Sequence, residues 1–497
     1  MKKLPVFLQV AFYGLLILSP GLVKSFSQNV GIGTTAPNAN AVLHVNLGAS
    51  TTKGFLVTGT YNAFASMPDL GAGSRLMFYP GKAAFRAGQV DGVQWNDVYT
   101  GTNSTAIGVN TTASGPGSIS LGSGTNASGG GAAAIGYNAS ANGYASTATG
   151  FTTAANGYVS TALGNFSIAN GAYATAIGNH TVAGGDHSTA AGYYTSAPGN
   201  TATAMGEFTT ASGLISTAIG SYTRATGYVT FAAGRFTTAR SEASTALGVY
   251  STAKGYASTV VGMYNDSMLA VDENAATAGT PLFMVGNGDI GNRSNAMVVR
   301  KDGNIGIGAN YPAGRMHIRT NSELAYPQLL LEENQNDYVR LSFTNYATSL
   351  FWTIAALPQP SAAASVMNFY FNGYGDVLSL KGNGNATLNG VLTQTSDSRL
   401  KTNIHPLKNS LQKLTQLNGY AYNWLNPQMD NGEQIGVLAQ EVKALFPQLV
   451  KEDDKGTLSV NYQGLVPVLI QSVKEQQQEI EEMKRQIGAL QKLVVKN

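Results

Sequence analysis

The sequence predicts a mainly β protein: a parallel β-roll of short repeats, a β-rich stalk, and an α+β domain ending in a coiled-coil helix. Two observations predict this order. Glycine recurs every 14 residues from Gly108 to Gly262, and a fixed short period indicates stacked strand–turn units. Charged residues become frequent from Ser396 onward, where the last 102 residues (497 − 395) hold 12 of 30 basic and 11 of 27 acidic side chains.

The composition excludes several kinds of site. The 497 residues include no cysteine, so disulfides and thiolate metal sites are excluded. The formal charge of +3 belongs to Lys2, Lys3 and Lys24, and without them 27 basic residues (30 − 3) balance 27 acidic ones. A neutral chain has no electrostatic attraction for nucleic acid. We expect no nucleic-acid partner, no metal and no cofactor.

The N-terminus has the pattern of an export signal. Lys2 and Lys3 precede an apolar run from Leu4 to Leu18, and a small-x-small cleavage site ends at Ser27. The alternative, a membrane anchor, needs about 20 apolar residues, which is more than this run supplies. We interpret residues 1–27 as a signal peptide. The mature chain is expected to be exported without a transmembrane span, to the extracellular space or the surface of a bacterium.

Each repeat has further small-residue positions. Ala lies five residues after each of the first eleven repeat glycines, and a second Gly lies seven residues after, except at Ser241. "STALGNFSIANG" (Ser160 to Gly171) is one example. Fourteen residues suit two short strands and two tight turns, with the paired glycines supplying positive φ at the turns. The repeat glycines are Gly108, Gly122, Gly136, Gly150, Gly164, Gly178, Gly192, Gly206, Gly220, Gly234, Gly248 and Gly262.

Residues 104–267 resemble the head repeats of YadA-like trimeric autotransporter adhesins. In that family the repeats build a left-handed parallel β-roll within a homotrimer, so the resemblance implies a trimeric, surface-presented, adhesive rod. It leaves open whether the ligand is a surface glycan or a host or matrix protein. Residues 28–103 are expected to form a β-rich cap region. Residues 66–102, which include Trp95, are expected to cover the open end of the roll.

The rod has few residues of the types that catalyse reactions. Glycoside hydrolysis requires paired carboxylates, and the rod is poor in them. His180 and His187 lack a third metal ligand at a related spacing, and we interpret them as surface residues. Residues 268–395, with alternating patterns in "YVRLSF" and "MNFYF", are expected to form the β-rich stalk. From Ser104 to Gly262 the charged residues are Asp186, Glu207, Arg224, Arg235, Arg240, Glu242 and Lys254.

Residues 396–497 behave as a separate domain with four motifs in order. They are "TSDSRLKTNIHPL" (Thr395 to Leu407), "YAYNWL" (Tyr420 to Leu425), "IGVLAQEVKALFPQLV" (Ile435 to Val450) and "LSVNYQGLVPVLIQSVKEQ" (Leu458 to Gln476). Together they resemble the endosialidase-type intramolecular chaperone, catalogued as peptidase family S74, which lies behind phage tailspikes and tail fibres.

This resemblance implies a trimerisation domain that cleaves itself off the chain. The nucleophile of the family motif S-D-x-x-L-K is the Ser, and the base is the Lys five residues later. Here these positions are Ser396 and Lys401, and the cleaved bond is Thr395–Ser396. Asp397, Gln440 and Glu441 also match the family motifs. For Gln440 and Glu441 the choice between catalysis and trimer packing stays open.

The residues themselves support a Ser–Lys dyad under one condition. A lysine serves as the base of a serine when burial populates its neutral amine. Five residues on a helix place two side chains about 140° apart, and five on a strand place them on opposite faces. The dyad therefore requires a turn near Asp397 and Ser398. The alternative is that Ser396 or Asp397 only caps a short helix.

The last helix is expected to form a coiled coil over residues 465–495. Apolar residues alternate in steps of four and three, and Glu479 and Lys484 flank them, suited to an interchain ion pair. The residue types favour two strands by rule, whereas both resemblances imply three, and we expect a homotrimer. The seam consists of Leu469, Val473, Gln476, Ile480, Met483, Ile487, Leu490 and Val494.

The sequence therefore predicts a secreted or surface-bound, adhesin-like trimeric fibre. Its C-terminal domain would align three chains and then cut the chain once between Thr395 and Ser396. Two alternatives remain. One is a non-cleaving structural fibre with a vestigial dyad, and the other is a glycan-degrading, tailspike-like enzyme.

Overall fold

The computed structural model of the chain describes residues 29–49, 52, 54–268 and 272–495. The signal peptide predicted for residues 1–27 therefore lies outside the described residues. The chain divides into two compact units between Ser322 and Glu323.

Two strand pairs precede the repeats in the first unit. Strands β1 (Val30–Ile32) and β2 (Leu43–Val45) form a parallel pair. Strands β3 (Gly73–Tyr79) and β4 (Ala84–Val90) form an antiparallel hairpin. Strand β4 then pairs in parallel with the first strand of the repeats, so that the hairpin extends the sheet of the roll.

The repeats fold into coils in which long and short strands alternate, numbered β5 to β27, with odd numbers for the long strands. The long strands are Thr105–Val109, Ile119–Ser123, Ala133–Tyr137, Thr147–Phe151, Thr161–Asn165, Thr175–Asn179, Thr189–Tyr193, Thr203–Glu207, Thr217–Ser221, Phe231–Arg235, Thr245–Val249 and Thr259–Met263. The short strands are Thr112–Ala113, Asn126–Ala127, Ser140–Ala141, Ala154–Ala155, Ile168–Ala169, Val182–Ala183, Ser196–Ala197, Thr210–Ala211, Arg224–Ala225, Thr238–Ala239 and Thr252–Ala253.

Successive coils stack in register at the distance of the repeat. Thr161 pairs with Thr175 in the long strands, and Ser140 pairs with Ala154 in the short strands. The long strands form one parallel sheet and the short strands form a second, 11-stranded parallel sheet. Equivalent residues of neighbouring coils therefore lie side by side, and each repeated position becomes a row along the rod.

The interior of each coil is narrow. Ala162 of a long strand and Ala169 of a short strand are both 0% exposed, as is Ser160. The alanine positions continue as a buried row through the stack. An interior hydroxyl can bond to a carbonyl of its own turn, as Ser146 Oγ does by donating to Gly143 O at 2.7 Å. Larger side chains at these positions would overpack the coil.

The repeat glycines allow neighbouring coils to approach closely. Gly164 has a φ of +113°, and a Cβ there would lie 2.1 Å from Gly178 O. A Cβ on Gly157 would lie 1.9 Å from Gly171 O, although the φ of Gly157 is not in the left-handed region. Of the paired glycines, therefore, only the first has the expected positive φ, and it does not lie in a turn. The first glycine lies in a strand, and the second is needed for space.

Aromatic residues supply the positive φ after most long strands. Phe208 and Tyr222, for example, have φ values of +49° and +55°, a conformation that costs a residue with a Cβ about 1–2 kcal/mol. The rings of successive coils stack with centroids 4.5–5.2 Å apart, and such a pair contributes about 0.5–1.5 kcal/mol. Stacking therefore offsets the strain. This aromatic ladder consists of Phe166, His180, Tyr194, Phe208, Tyr222, Phe236, Tyr250 and Tyr264.

The N-terminal end of the roll is closed by Arg86 and Trp95. Arg86 lies in register with Ala106 and is fully buried, and its guanidinium donates to Ser104 O at 3.0 Å and to Ala113 O at 3.2 Å. Burial lowers the pKa of Arg86 to about 10. Trp95 packs on Ala106 and Ala113. Arg86 and Trp95 therefore cover the first coil of the roll.

At the other end, the side chain of Asn265 terminates the short-strand sheet. It accepts from Thr252 N at 2.7 Å and donates to Thr252 O at 3.0 Å, so the amide replaces one further peptide group of the ladder. Strand β28 (Pro281–Asn287) continues the long-strand sheet in parallel with β27. Strands β29 (Asn295–Arg300), β30 (Ile305–Ile307) and β31 (Met316–Ile318) extend it further.

The second unit begins with a five-stranded antiparallel sheet. In order across the sheet, its strands are β32 (Val339–Thr344), β33 (Phe351–Leu357), β34 (Val366–Phe371), β35 (Gly375–Lys381) and β36 (Ala386–Leu388).

One face of this sheet is apolar and uncovered. Phe343 and Trp352 are cross-strand partners on it, and they are 52% and 45% exposed. Leu341 and Met367 are also exposed on the same face. An apolar sheet face of this extent is typical of an interface.

The remaining residues form a small α+β domain that ends in a long helix. The short elements are helix α1 (Ser410–Leu414), strands β37 (Tyr420–Tyr422) and β38 (Gln434–Gly436), helix α2 (Ala439–Leu445), and strands β39 (Val450–Glu452) and β40 (Leu458–Val460). Helix α3 (Leu465–Val494) follows. Its first turns pack Val468 against Val442 and Phe446 of the α2 region, and these three residues form the buried core. The predicted fold class, a mainly β repeat roll followed by a domain that ends in a helix, is confirmed.

Exchanging Phe208 tests whether ring stacking offsets backbone strain in the aromatic ladder. Phe208→Asn removes the stacks on Tyr194 and Tyr222, but Asn tolerates the left-handed conformation, as Asn110 and Asn138 do at this position of other coils. Phe208→Ala removes the same stacks and keeps the strain. We expect both variants to be less protected than wild type, and the Ala variant to open with a free energy about 1 kcal/mol below that of the Asn variant.

Hydrogen exchange of peptides covering residues 203–225 measures this difference. Peptides from the first coils serve as an internal control, because they lie outside the ladder. Equal protection in the two variants would contradict the role of strain.

Candidate active site

The segment from Ser396 to Lys401 folds back on itself. A single 3-10 turn, Ser398–Leu400, separates the two residues, and the carboxylate of Asp397 caps it by accepting from Arg399 N at 2.9 Å. A turn therefore stands where the five-residue spacing requires one. Asp397, and not Ser396, is the residue that caps it.

This turn brings the side chains of Ser396 and Lys401 together. Lys401 Nζ lies 2.6 Å from Ser396 Oγ and 3.1 Å from Ser396 O. Both side chains are exposed in the single chain. A hydroxyl and an amine at this distance can pass a proton between them when the amine is neutral.

Asp397 is engaged by its neighbour and not by the dyad. Its carboxylate forms an ion pair with Arg399, with Nη2 and Oδ2 2.6 Å apart. This bond and the capping bond lower the pKa of Asp397. The contacts assign Asp397 to the shape of the turn.

Glu441 links two elements of the domain. Tyr420 OH donates to Glu441 Oε1 at 2.5 Å, and Asn418 N donates to Oε2 at 3.4 Å, so the carboxylate on α2 fixes the start of β37. The same bond raises the pKa of Tyr420. Gln440 is exposed on the same helix. These contacts favour a structural role for Glu441.

Glu475 on α3 holds α1 in place, a role that the sequence does not indicate. Its Oε2 accepts from Leu411 N, in the first turn of α1, at 2.8 Å, and this bond lowers the pKa of Glu475. The two residues are 64 positions apart, so only the packed domain brings them together. The pair ties the segment that follows the dyad to the long helix.

The predicted coiled-coil seam lies on the side of α3 away from the core. Val468 and Ser472 are buried against the domain, whereas neighbouring Leu469 and Val473 are 47% and 62% exposed. Met483, Ile487, Leu490 and Val494 continue this exposed row. Ile480 is half-buried, and Gln476 is exposed.

Among the described residues, no three acidic, histidine or cysteine side chains lie close enough together to hold a metal ion. No helix in the described ranges combines the length and the apolar character needed to cross a membrane.

Two family models match the chain. Residues 396–451 match the model described as chaperone of endosialidase, Peptidase_S74. The model of the YadA head domain repeat matches several segments of the roll. These segments are 100–125, 127–153, 155–181, 169–195, 183–206, 197–223 and 239–265. Both resemblances that the sequence motifs predict are confirmed.

Curated relatives include long tail fiber proteins of phages. The long tail fiber protein Gp37 of Salmonella phage S16 is 32% identical over 111 residues, which are 21% of this chain and 15% of that protein. The Gp37 proteins of Enterobacteria phages K3 and T2 are each 33% identical over 100 residues, 18% of this chain and 8% and 7% of theirs. The match thus spans less than a sixth of the length of these relatives.

Replacing Glu441 tests the structural bond to Tyr420. We expect Glu441→Gln to lower the pKa of Tyr420 toward the ordinary value of about 10, because the carboxylate favours the neutral phenol. Because the pKa of Tyr420 is raised in the folded state, the contact stabilises the fold fully at pH values below the pKa of the unfolded chain. This stabilisation is lost as the pH rises through the pKa of the folded state. A 13C NMR titration of the tyrosine Cζ signals measures this, with Tyr420→Phe to assign the resonance. An unchanged pKa would contradict the bond.

Proposed function

We propose that the chain forms an exported trimeric fibre with an adhesin-like rod, and that its C-terminal domain aligns three chains and then cuts the Thr395–Ser396 bond. The observation that carries the proteolytic step is the 2.6 Å distance between Lys401 Nζ and Ser396 Oγ. It lies in a segment that matches the endosialidase chaperone model. Similarity to phage tail fibers and adhesin heads supports a place outside the cell.

The dyad can perform the cut with a single water. Neutral Lys401 takes the proton of Ser396 Oγ, and the oxygen attacks the carbonyl carbon of Thr395. The C–N bond then breaks, and the Lys401 ammonium returns the proton to the nitrogen of Ser396. This leaves an ester between the Thr395 carboxyl and Ser396 Oγ. Water hydrolyses the ester, so Thr395 ends in a carboxylate and Ser396 keeps its hydroxyl and gains a free amine.

Assembly supplies the condition that the base needs. A protonated lysine cannot accept a proton, and burial favours the neutral amine. In the single chain Ser396 and Lys401 are exposed. Covering of this segment by neighbouring chains would populate the neutral amine, so the cut follows trimerisation.

Three uncovered apolar surfaces support association of the chains. The first is a row of aliphatic side chains at the third position of the long strands, on the outside of the roll. The second is the apolar face of the five-stranded sheet, and the third is the seam of α3. Contiguous exposed apolar surface marks an interface. The most exposed members of the first row are Ile107, Ile135, Ile177, Met205 and Ile219.

Replacing the proposed nucleophile tests the cut. Wild-type protein is expected to yield a fibre chain that lacks its last 102 residues (497 − 395). Ser396→Ala and Lys401→Met should each leave the chain intact, because one removes the attacking oxygen and the other the base. Intact mass of the purified protein measures the product and its terminus.

Ser398→Ala is the matched control, since Ser398 lies two residues away and its hydroxyl has no assigned part in the reaction. It should be cut like wild type. Cleavage of Ser396→Ala at Thr395 would overturn the mechanism. An intact wild-type chain would instead show a non-cleaving fibre.

Disrupting the seam tests whether the cut depends on assembly. Ile487→Glu places charge in the predicted interface, so it should yield monomers in which cleavage is strongly reduced. Gln478→Glu adds the same charge on an exposed position outside the seam and should leave trimer and cleavage unchanged. Light scattering gives the oligomeric mass and a denaturing gel gives the cleaved fraction. A monomeric variant that is cut as fast as wild type would show that cleavage does not depend on assembly.

A further inference from the structure

The second face of the five-stranded sheet carries an open cavity of about 550 Å³. The strand register places Arg340 beside Ala355 in one row, and Ser342 beside Thr353 in the next. Asn368 continues the first row. The volume lies within the range of about 300–1,000 Å³ that is typical of small-ligand pockets.

The cavity has a floor of small side chains and a rim of large ones. Thr353 and Asn368, on the floor, are 3% and 4% exposed. Tyr338, Phe351 and Tyr370 line the same cavity and remain partly exposed. The depth of the cavity therefore comes from the difference in side-chain size across one sheet face.

The rim rings are not stacked face to face. The centroids of Phe351 and Tyr370 are 6.5 Å apart, and their planes are tilted by 41°. In the aromatic ladder of the roll, by contrast, Phe208 and Tyr222 are 4.8 Å apart at 17°, so each ring covers the face of the next. The cavity rings can accept the C–H face of a ligand, and the inner rings of the ladder cannot.

The floor carries hydrogen-bonding groups. Asn368 Oδ1 is buried and has no hydrogen-bond partner within the described structure. Buried polar groups ordinarily have partners, so this amide is a candidate contact for ligand hydroxyls. Ser342 Oγ and Thr353 Oγ1 lie 2.8 Å apart and add two hydroxyls to the same surface.

The charges around the cavity do not favour an anion. Arg340 Nη2 donates to both carboxylate oxygens of Asp337, at 2.9 and 3.0 Å, and this bond lowers the pKa of Asp337. Asp376 adds a second carboxylate to the lining. One cation faces two anions, so a negatively charged ligand would be repelled.

We propose that this cavity binds a neutral pyranose unit of a glycan. Phe351 and Tyr370 pack against the C–H face of the sugar ring, while Asn368, Ser342 and Thr353 bond to its hydroxyls. The inference deepens the adhesive part of the proposed function and does not rest on the dyad. The cavity precedes the cleaved bond in the chain, so it stays with the fibre after the cut.

Calorimetric titration of the full chain tests the site. The probes are the neutral trisaccharides maltotriose, cellotriose, mannotriose and chitotriose, with sialyllactose as the anionic comparison. At least one neutral probe should bind wild type, and equally the Ser396→Ala chain. Tyr370→Ala and Asn368→Leu should weaken this binding by about tenfold or more. Tyr346→Ala is the control, because Tyr346 is a fully exposed tyrosine of the same unit outside the cavity.

Hydrogen exchange of the wild-type peptide covering residues 366–371 adds a readout that needs no variant, and the bound probe should slow it. Three results would overturn the site: no neutral probe binding at millimolar concentration, binding that survives both cavity variants, or tighter binding of sialyllactose. Failure of Ser396→Ala to block the cut would leave this titration unaffected, so the two proposals fail separately.

Discussion

The narrow interior of the coil is the constraint on which the rest of the structure depends. Alanine, serine and threonine fill it in every coil before the last, as at Ala162 and Ser160, and Val260 takes an alanine position in the last long strand. One coil therefore buries too little to fold alone. Stability must come from neighbouring coils, through the backbone hydrogen bonds between them and the aromatic ladder outside. Because the first and last coils have a neighbour on one side only, their other side would expose unpaired backbone. Arg86 and Trp95 cover it at one end, and Asn265 covers it at the other.

The regularity that builds the rod also creates a problem of alignment. Because neighbouring coils are nearly equivalent, chains shifted by one coil would still match their aliphatic rows. Many non-local pairings also make such a fold slow to nucleate. A non-repetitive domain can set the alignment that the repeats cannot. The exposed seam of α3 is suited to this task in the proposed trimer, with Gln476 as a polar seam residue that would fix the register.

The sequence predicts the features that follow from spacing alone. A 14-residue period pairs each strand with the equivalent strand of the next coil. The five-residue spacing of Ser396 and Lys401 requires the turn that the structure has. The sequence does not predict the left-handed backbone conformation of Phe208. The stacking energy that stabilises it comes from rings one coil away, whereas the intrinsic backbone preference of phenylalanine disfavours it. The bond of Glu441 to Tyr420 was missed for the same reason: packing of the domain creates it.

The exposure of Ser396 and Lys401 in one chain gives the proposed reaction its order. If the dyad were active in a single chain, it would cut before the rods were aligned, and the template would be lost too early. Burial of this segment by neighbouring chains, as in the proposed trimer, would favour the neutral amine that the reaction needs. Assembly would then activate the cleavage that removes the assembly domain from the fibre. Without the helix, the fibre would be held by the roll and the apolar sheet face. Separating the released trimer would expose the aliphatic rows of the roll and this sheet face together, a cost that favours kinetic stability.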